Sequence, residues 1–202
     1  MSRDRVLAAV TRHHGDPVAL PPGQHAAADA PGSREDLLTR FLSVLEQVGG
    51  KWVERTPGDD LDGIIRAHYP GAECIASAVE EPPRSTLAIA ADTAPTDLVR
   101  VQLAVLRGLF GVAENGAIWV DGDRLPHRAL PFVAEHLVLV LAADDVVPDM
   151  HAAYARLGGW ESGYGVFVSG PSKTADIEQA LVIGAQGPRS LLVVLDSRGS
   201  FG

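Results

Sequence analysis

The sequence predicts an α/β domain built around a largely parallel sheet. Apolar runs of strand length alternate with segments whose apolar residues recur at helical spacing, and this order is typical of a parallel sheet. Runs such as residues 136–142 are apolar at almost every position, which indicates strands buried on both faces. With 202 residues, 46% of them hydrophobic, the chain can bury one sizeable core, so we expect one such domain.

The first 32 residues are predicted to form a separate N-terminal region. Ser2 precedes a short apolar stripe between Arg3 and Arg12, so we predict a helix capped by Ser2. From residue 13 to Gly32 the composition changes to Pro, Gly, Ala and His, which predicts an arm with little secondary structure. This arm would pack either on the domain or on a second subunit. In the second case the protein would be a homo-oligomer. The α/β domain would then occupy residues 33–202.

The α/β domain is predicted to begin with an amphipathic helix. Ser33 and Asp36 have the spacing of a capping box, and Gly49 and Gly50 are residues of the kind that end a helix. The apolar face of this helix comprises Leu37, Leu38, Phe41, Leu42, Leu45 and Val48. The pattern that follows predicts a strand at 51–55, a helix at 60–68 and strands at 73–76, 86–91 and 99–106.

The second half of the domain continues this alternation. The predicted elements are strands at 117–121, 136–142, 166–168 and 191–195 and a helix at 149–157. Strand 166–168 stops at Ser169-Gly170-Pro171, and the next segment has apolar or small residues at helical spacing, namely Ile177, Ala180, Leu181 and Gly184. We therefore predict a strand, a tight turn and a helix here, with Ser172 or Thr174 capping the helix.

Composition argues against several classes of function. A formal charge of −9 argues against a nucleic-acid-binding surface, because such a surface needs clustered Lys and Arg. Cys74 is the only cysteine and the 7 histidines lack the spacing of a zinc site, so we expect no disulfide, metal or cofactor. No apolar run reaches the roughly 20 residues of a membrane span. The N-terminus has no secretory signature, so we expect a cytoplasmic protein.

The turn after strand 166–168 is the first candidate site. A cation in the first turn of a helix opposes the helix dipole, so Lys173 suggests an anion nearby. The groups that would suit a phosphate or carboxylate are the free amides of the turn and the side chains of Ser169, Ser172 and Thr174. Asp176 and Glu178 match the dipole and need no functional explanation. On spacing alone, an ordinary capped helix with an exposed lysine is the favoured alternative.

Glu114 is the second candidate. It precedes Asn115-Gly116, a pair that favours a tight turn with positive φ, and it lies between two apolar runs. Small and apolar neighbours would bury part of its carboxylate, and a carboxylate in that setting serves as an acid, a base or a nucleophile. From the local sequence, a solvated turn glutamate is the favoured alternative.

Three segments resemble a known family. They are GVAENGAIWV at 111–120, LPFVAEHL at 130–137 and VSGPSKTADIEQALVIGAQGP at 168–188. They are similar to signatures of the lactate utilization protein C family, whose members contain the LUD domain. The resemblance covers the chain from Asp97 to its C-terminus. It implies a three-layer α/β/α fold with a mostly parallel sheet, similar to the NagB/RpiA/CoA-transferase group.

The same resemblance implies a role in the oxidation of L-lactate to pyruvate. The family acts alongside partner proteins that carry iron–sulfur clusters, so it implies a non-redox subunit or a partner that binds a small anion, a carboxylate or a phosphate. Many relatives have Glu-Thr-Gly-Thr where this chain has Glu114-Asn115-Gly116-Ala117, so the threonine hydroxyls are absent here.

These observations lead to one hypothesis for the site. Glu114 and the turn would form one cleft at the carboxyl ends of the strands, where open α/β sheets bind ligands. Glu114 would be the acid, base or orienting carboxylate. The ligand-binding residues would be Asn115, Gly116, Ser169, Gly170, Pro171, Ser172, Lys173, Thr174, Asp176 and Glu178. The alternative is a CoA or acyl transferase, or a related sugar-phosphate or folate-type activity, with Glu114 as nucleophile or base. For the transferase, Ala-Glu-Asn-Gly at 113–116 resembles the Ser-Glu-Asn-Gly element of CoA transferases.

Overall fold

The computed structural model describes residues 3, 5, 33–79, 86–159, 163–174 and 182–197. Contacts between Cα atoms divide the chain into two compact units, Met1–Pro31 and Gly32–Gly202, and every element below belongs to the second. The helix predicted at 3–12 and the arm predicted at 13–32 lie outside the described residues, apart from Arg3 and Arg5.

A five-stranded parallel sheet forms the centre of the second unit. In spatial order its strands are β1 (Lys51–Arg55), β11 (Ser190–Asp196), β6 (His136–Ala142), β3 (Leu103–Arg107) and β2 (Ile75–Ser77). Each strand is parallel to its neighbours. Every residue of β6 and β11 after the first is buried, as expected for strands covered on both faces. The predicted α/β class with a mostly parallel sheet is confirmed.

Different elements cover the two faces of the parallel sheet. On one face, Ile65 of helix α2 (Leu61–His68) packs in an apolar cluster with alternate residues of β3, β6 and β11. On the other face, Phe41 of helix α1 (Arg34–Gln47) packs with the remaining residues of the same strands. A second sheet also contributes to this cluster. The unit therefore has three layers.

Helix α1 begins and ends where the sequence predicts. The Ser33 side chain accepts a hydrogen bond from the N–H of Asp36 (3.2 Å), and the Asp36 carboxylate accepts one from the N–H of Ser33 (3.0 Å). The predicted capping box is thus confirmed. At the other end Val48 is the C-cap, and Gly49 has a φ of 86°, which glycine adopts without steric cost.

The second sheet has four strands. In spatial order they are β7 (Val146–Val147), β4 (Phe110–Val112), β5 (Ala117–Asp121) and β8 (Gly165–Val168). Strand β5 is antiparallel to both β4 and β8, whereas β7 is parallel to β4. Strands β5 and β8 were predicted, but β4 and β7 were not, because two or three residues are too few to show a period.

The remaining helical elements are short. They are α3 (Pro95–Leu98), a 3₁₀ turn (Gly122–Arg124), α4 (Leu130–Val133) and α5 (Met150–Arg156). Helix α5 agrees with the predicted helix at 149–157, since Asp149 is its N-cap and Leu157 its C-cap. Within the described ranges, no helix combines the length and the apolar character that crossing a bilayer requires.

The strand predicted at 86–91 is wrong for the residues that the structure describes there. Residues 86–90 form no strand. The N–H groups of Thr86 and Leu87 both donate to the same carbonyl, that of Ile75, at 3.0 and 3.1 Å. A β ladder needs a separate acceptor for each donor along the strand, so this segment lies beside β2 without extending the sheet.

The strand predicted at 99–106 begins four residues late, at Leu103. Pro95 opens helix α3, because its fixed φ suits a first helical turn, and this helix continues to Leu98. Val99 is 78% exposed, so this apolar residue does not belong to a buried strand.

The helix predicted after Pro171 is also wrong at both of its ends. Lys173–Thr174 form β9, which pairs antiparallel with β10 at Val182–Ile183. Gly184, which was assigned to the helix, has a φ of 80°. Residues 175–181 lie outside the described part of the chain. A few apolar residues at helical spacing within so short a segment also fit a pair of short strands.

Candidate functional site

The two predicted candidate segments lie against each other. The hydroxyl of Ser169 donates a hydrogen bond to the carbonyl oxygen of Asn115 at 2.8 Å. We call the region formed by 114–116 and 169–174 the junction. Ser169 follows β8, and Asn115 lies in the turn between β4 and β5, so the pairing of β5 with β8 brings the two segments together.

The junction rests on the C-terminal turn of α1. Gly116 (φ 65°) lies so close to the helix that a Cβ atom would be 3.0 Å from the backbone nitrogen of Leu45. A Cβ atom at Gly170 (φ 71°) would clash with the carbonyl oxygen of Val48. Both turns therefore need glycine, for their backbone conformation and for close packing on α1.

Lys173 interacts with the end of this helix. Its Nζ donates a hydrogen bond to the carbonyl oxygen of Val48 at 2.6 Å. The sequence placed Lys173 in a first helical turn, where its charge opposes the dipole. It lies instead at a helix C-terminus, where a positive charge is stabilising. The charge is therefore explained without an anion.

Glu114 contacts the start of another helix. Its Oε2 accepts a hydrogen bond from the N–H of Met150, the first residue of α5, at 3.0 Å. The Asp149 carboxylate accepts a second one, from the N–H of Ala152, at 2.8 Å. The Glu114 side chain is exposed, and its negative charge lies at the end of α5 that favours it.

The backbone of Ser172 is engaged by the protein. Its N–H donates to the carbonyl of Pro188 at 2.8 Å, and its carbonyl accepts from the N–H of Gly184 at 2.9 Å. This amide is therefore not available to a bound anion. Pro171 is buried, whereas Asp176 and Glu178 lie outside the described residues.

A cavity lies at a different place, at the amino ends of the parallel strands. This amino-edge cavity has a volume of about 500 Å³. Its lining includes Lys51, His68, Tyr69, Gln102, Glu135, His136 and Ser190. The hydroxyl of Ser190 is 2.8 Å from Nδ1 of His136 and 3.0 Å from the hydroxyl of Tyr69. Burial raises the pKa of Tyr69 above its usual value, and the hydrogen bond with Ser190 opposes this shift.

The carboxyl ends of the strands, where the cleft was expected, also hold charged groups. Arg55 and Asp196 end the adjacent strands β1 and β11, and they form a buried ion pair with a distance of 3.4 Å. A smaller cavity of about 190 Å³ includes Arg107, Asp121 and Arg124. The junction residues line neither this cavity nor the amino-edge cavity.

His136 and Ser190 are two lining residues to which the sequence alone assigned no function. A signal was present, because each is a polar residue directly followed by a run of apolar residues. The two are register partners in adjacent parallel strands, a relation that requires the order of the strands. Within the described ranges, no group of three His, Cys, Asp or Glu side chains has an arrangement that could hold a metal ion.

Comparison with known proteins identifies the family. The profile of the LUD domain matches residues 86–195, which is more than half of the chain and includes both junction segments. The chain is 34% identical over 94 residues to lactate utilization protein C of Bacillus pumilus (strain SAFR-032). That match covers 43% of this chain and only 39% of the length of the relative. Lactate utilization protein C of Exiguobacterium sp. (strain ATCC BAA-1283 / AT1b) is 25% identical over 221 positions, which cover 96% of this chain and 95% of that protein.

A solved structure has the same fold. It is that of a DUF162 family protein from Deinococcus radiodurans, with a TM-score of 0.62 and 18% sequence identity. The alignment covers 83% of this chain and 100% of the other. At this identity the likeness establishes the fold alone. Because the LUD domain profile spans most of the α/β unit, the chain belongs to the LUD domain family.

Proposed function

We propose that this LUD domain protein supports the utilization of L-lactate as a non-redox partner of iron–sulfur proteins. The observation that carries the proposal is the match to proteins named lactate utilization protein C, one of which aligns along almost the whole of both chains. The oxidation of lactate to pyruvate releases two electrons, so some component of such a system must accept them.

The electron carriers would belong to partner proteins. Iron–sulfur clusters are held by several cysteine thiolates, and Cys74 is the only cysteine of this chain. The contribution of this chain would then be to bind a small anion, or to hold a partner in place.

The junction is the proposed place of anion binding. An ammonium group has three N–H donors, and Lys173 uses one of them on the carbonyl of Val48. The other two, with the hydroxyls of Ser172 and Thr174, would hold a carboxylate or a phosphate. The C-terminal dipole of α1 opposes an anion here, so we expect weak binding that decreases with added salt.

A growth experiment tests the role in lactate utilization. Deletion of the gene from the organism that encodes this chain should slow growth on L-lactate as the sole carbon source, while growth on pyruvate is unchanged. Expression of the intact chain should restore growth. An affinity-tagged chain should also capture proteins whose iron and sulfide content can be measured. Unchanged growth on L-lactate after deletion would contradict the proposal.

A binding experiment tests the junction separately. Lactate, pyruvate or phosphate should raise the melting temperature of the purified chain. For a ligand that binds at the junction, this rise should be smaller in Lys173→Ala than in the unmodified chain. Arg66→Ala is the matched control, since Arg66 is an exposed cation on α2 that pairs with Asp62. If Lys173→Ala binds every ligand as the unmodified chain does, the junction is not an anion site.

A further inference from the structure

The amino-edge cavity collects polar side chains from three neighbouring strands. Lys51 opens β1, His136 opens β6 and Ser190 opens β11, so all three lie at the same edge of the sheet. Strand β11 lies between the other two. The cavity volume of about 500 Å³ falls within the range of small-molecule sites, roughly 300–1,000 Å³.

Two donor groups in the cavity have no partner among the described residues. Oε1 of Gln102 accepts hydrogen bonds from the N–H groups of Glu73 (2.8 Å) and Cys74 (2.9 Å), which fixes the orientation of the amide. Its Nε2 keeps both N–H donors. Across the residues that the structure describes, neither this nitrogen nor Nζ of Lys51 is bonded to another group of the protein.

Tyr69, Ser190 and His136 form a hydrogen-bonded chain in the same cavity. A serine hydroxyl has one proton, so the chain runs in one direction at a time. Donation from Tyr69 through Ser190 to Nδ1 of His136 leaves a proton on Nε2 of the neutral imidazole. The reverse direction leaves the phenol proton of Tyr69 for a ligand. The chain can therefore hydrogen-bond a ligand hydroxyl or carbonyl oxygen.

The charges around the cavity favour an anion. Glu135 is the carboxylate among the described lining residues. Its Oε1 lies 2.8 Å from Nη1 of Arg189 and 4.0 Å from Nε2 of His136, so this negative charge is paired. Lys51 adds a positive charge, and among the described lining residues it is the charge that has no ionic partner.

The position of α2 favours a monocarboxylate over a phosphate. This helix ends at His68, so the partial negative charge of its C-terminus lies beside the cavity and disfavours a dianion. Nδ1 of His68 is 2.9 Å from the carbonyl of Ile64 and must donate to it, which leaves Nε2 for a ligand. The arginine fork typical of phosphate sites is absent from the described lining, and the nearby Arg189 is engaged by Glu135.

We propose that the amino-edge cavity binds an organic monocarboxylate with a hydroxyl or carbonyl oxygen beside the carboxylate. Lys51 would hold the carboxylate, because β1 lies beside β11, and the Tyr69–Ser190–His136 chain would bond the neighbouring oxygen. Leu192 would contact the carbon skeleton. The proposal rests on this cavity alone and does not require that the junction binds an anion.

The test is an NMR titration of the full chain, read at the Cε1–H signals of the histidine rings. L-Lactate and pyruvate should shift the signals of His68 and His136 and leave that of His151 in place. Propionate, which lacks the second oxygen, should bind roughly tenfold more weakly because one hydrogen bond is lost. Lactamide, which lacks the charge, should give no shift.

Three variants separate this cavity from the junction. Lys51 and Lys173 are the two lysines of the chain, and one lies at each place. Lys51→Gln should weaken lactate binding by roughly tenfold or more, since it removes a charge-assisted hydrogen bond, whereas Lys173→Gln should not change these shifts. Ser190→Ala should remove the preference for lactate over propionate and leave propionate binding unchanged.

Three results would overturn the proposal. They are the absence of shifts at His68 and His136, equal or tighter binding of methyl phosphate, and loss of these shifts in Lys173→Gln but not in Lys51→Gln. The spectrum of each variant also reports whether it is folded. Failure here leaves the growth result untouched, and a failed growth test leaves the cavity result untouched.

Discussion

At the scale of single residues, the two charged side chains that the sequence selected both lie at helix ends. Glu114 accepts a hydrogen bond from Met150 at the start of α5, and Lys173 donates one to Val48 at the end of α1. Each charge has the sign that the helix dipole favours. Any ligand-binding role for either residue must therefore appear as an effect beyond helix stability.

Replacement of Glu114 tests its capping role. Glu114→Ala should lower the free energy of unfolding by about 0.5–1 kcal/mol, because the N–H of Met150 loses its acceptor and α5 loses a favourable charge. Glu114→Gln keeps an acceptor oxygen and should cost less. Urea unfolding measures both. Glu54→Ala, at an exposed position of β1, is the control and should stay within about 0.5 kcal/mol of the unmodified chain.

The transferase alternative makes a different prediction for the same residue. If Glu114 were a nucleophile, incubation with an acyl-CoA followed by hydroxylamine or borohydride would leave a covalent change on Glu114 that mass spectrometry detects. We expect none, because the carboxylate is exposed and directed to a helix start. A trapped adduct would show that capping is not its only role.

At the scale of elements, the turn at Gly170 packs closely against the end of α1. Gly170 has a φ of 71°, and it faces the carbonyl of Val48, the same group that accepts the hydrogen bond from Lys173. The turn therefore fixes where β8 ends and where Lys173 begins β9. A Cβ atom at Gly170 would clash with the carbonyl oxygen of Val48, so the backbone of the turn or of the end of α1 would have to move.

Gly170→Ala should lower the free energy of unfolding by about 1–3 kcal/mol. Two effects act together, since alanine is strained at this φ and its Cβ would clash with a backbone oxygen. Gly159→Ala is the matched control, because a Cβ there meets no atom within 4 Å and its φ is not in the left-handed region. It should be neutral or slightly stabilising. Equal losses in the two variants would contradict the packing described for Gly170.

The elements that could be predicted from the sequence are those whose cause is local. The capping box of Ser33 and Asp36 and the apolar run of β6 each carry their signal within a few residues. Strands β4 and β7 form because other strands lie beside them, and a segment of two or three residues carries no sequence pattern that predicts such pairing. The segment after Pro171 was assigned to a helix from the spacing of its apolar residues. That spacing does not indicate that 173–174 pair with 182–183.

The candidate site was harder to predict for the same reason. The expectation that the two junction segments meet came from a family resemblance. The hydrogen bond from Ser169 to Asn115 agrees with this expectation. The partners of Glu114 and Lys173 are 36 and 125 residues away, so their helix-end roles were invisible in the sequence. In the amino-edge cavity, Tyr69 contacts Ser190, which is 121 residues away in the sequence, because α2 packs on the parallel sheet.

At the scale of the whole molecule, one buried ion pair joins the two ends of the described α/β unit. Arg55 ends the first strand and Asp196 ends the last, 141 residues later, and their side chains are 4% and 0% exposed. Arg55 also donates to the carbonyl of Asp59 at 3.2 Å, and the hydroxyl of Ser197 donates to the carbonyl of Arg55. The pair thus lies within a bonded network at one edge of the sheet.

Removal of one partner should cost far more than removal of both. Asp196→Ala removes the carboxylate that pairs with the buried guanidinium of Arg55, and we expect a loss of about 3–5 kcal/mol in the free energy of unfolding. The double variant Arg55→Met with Asp196→Leu places apolar groups of similar size there and should recover most of that loss. Urea unfolding of Arg55→Met, Asp196→Leu and the double variant gives the coupling energy between the two residues. Additive losses would mean that each side chain stabilises the fold through separate contacts, and that the ion pair does not link the first strand to the last.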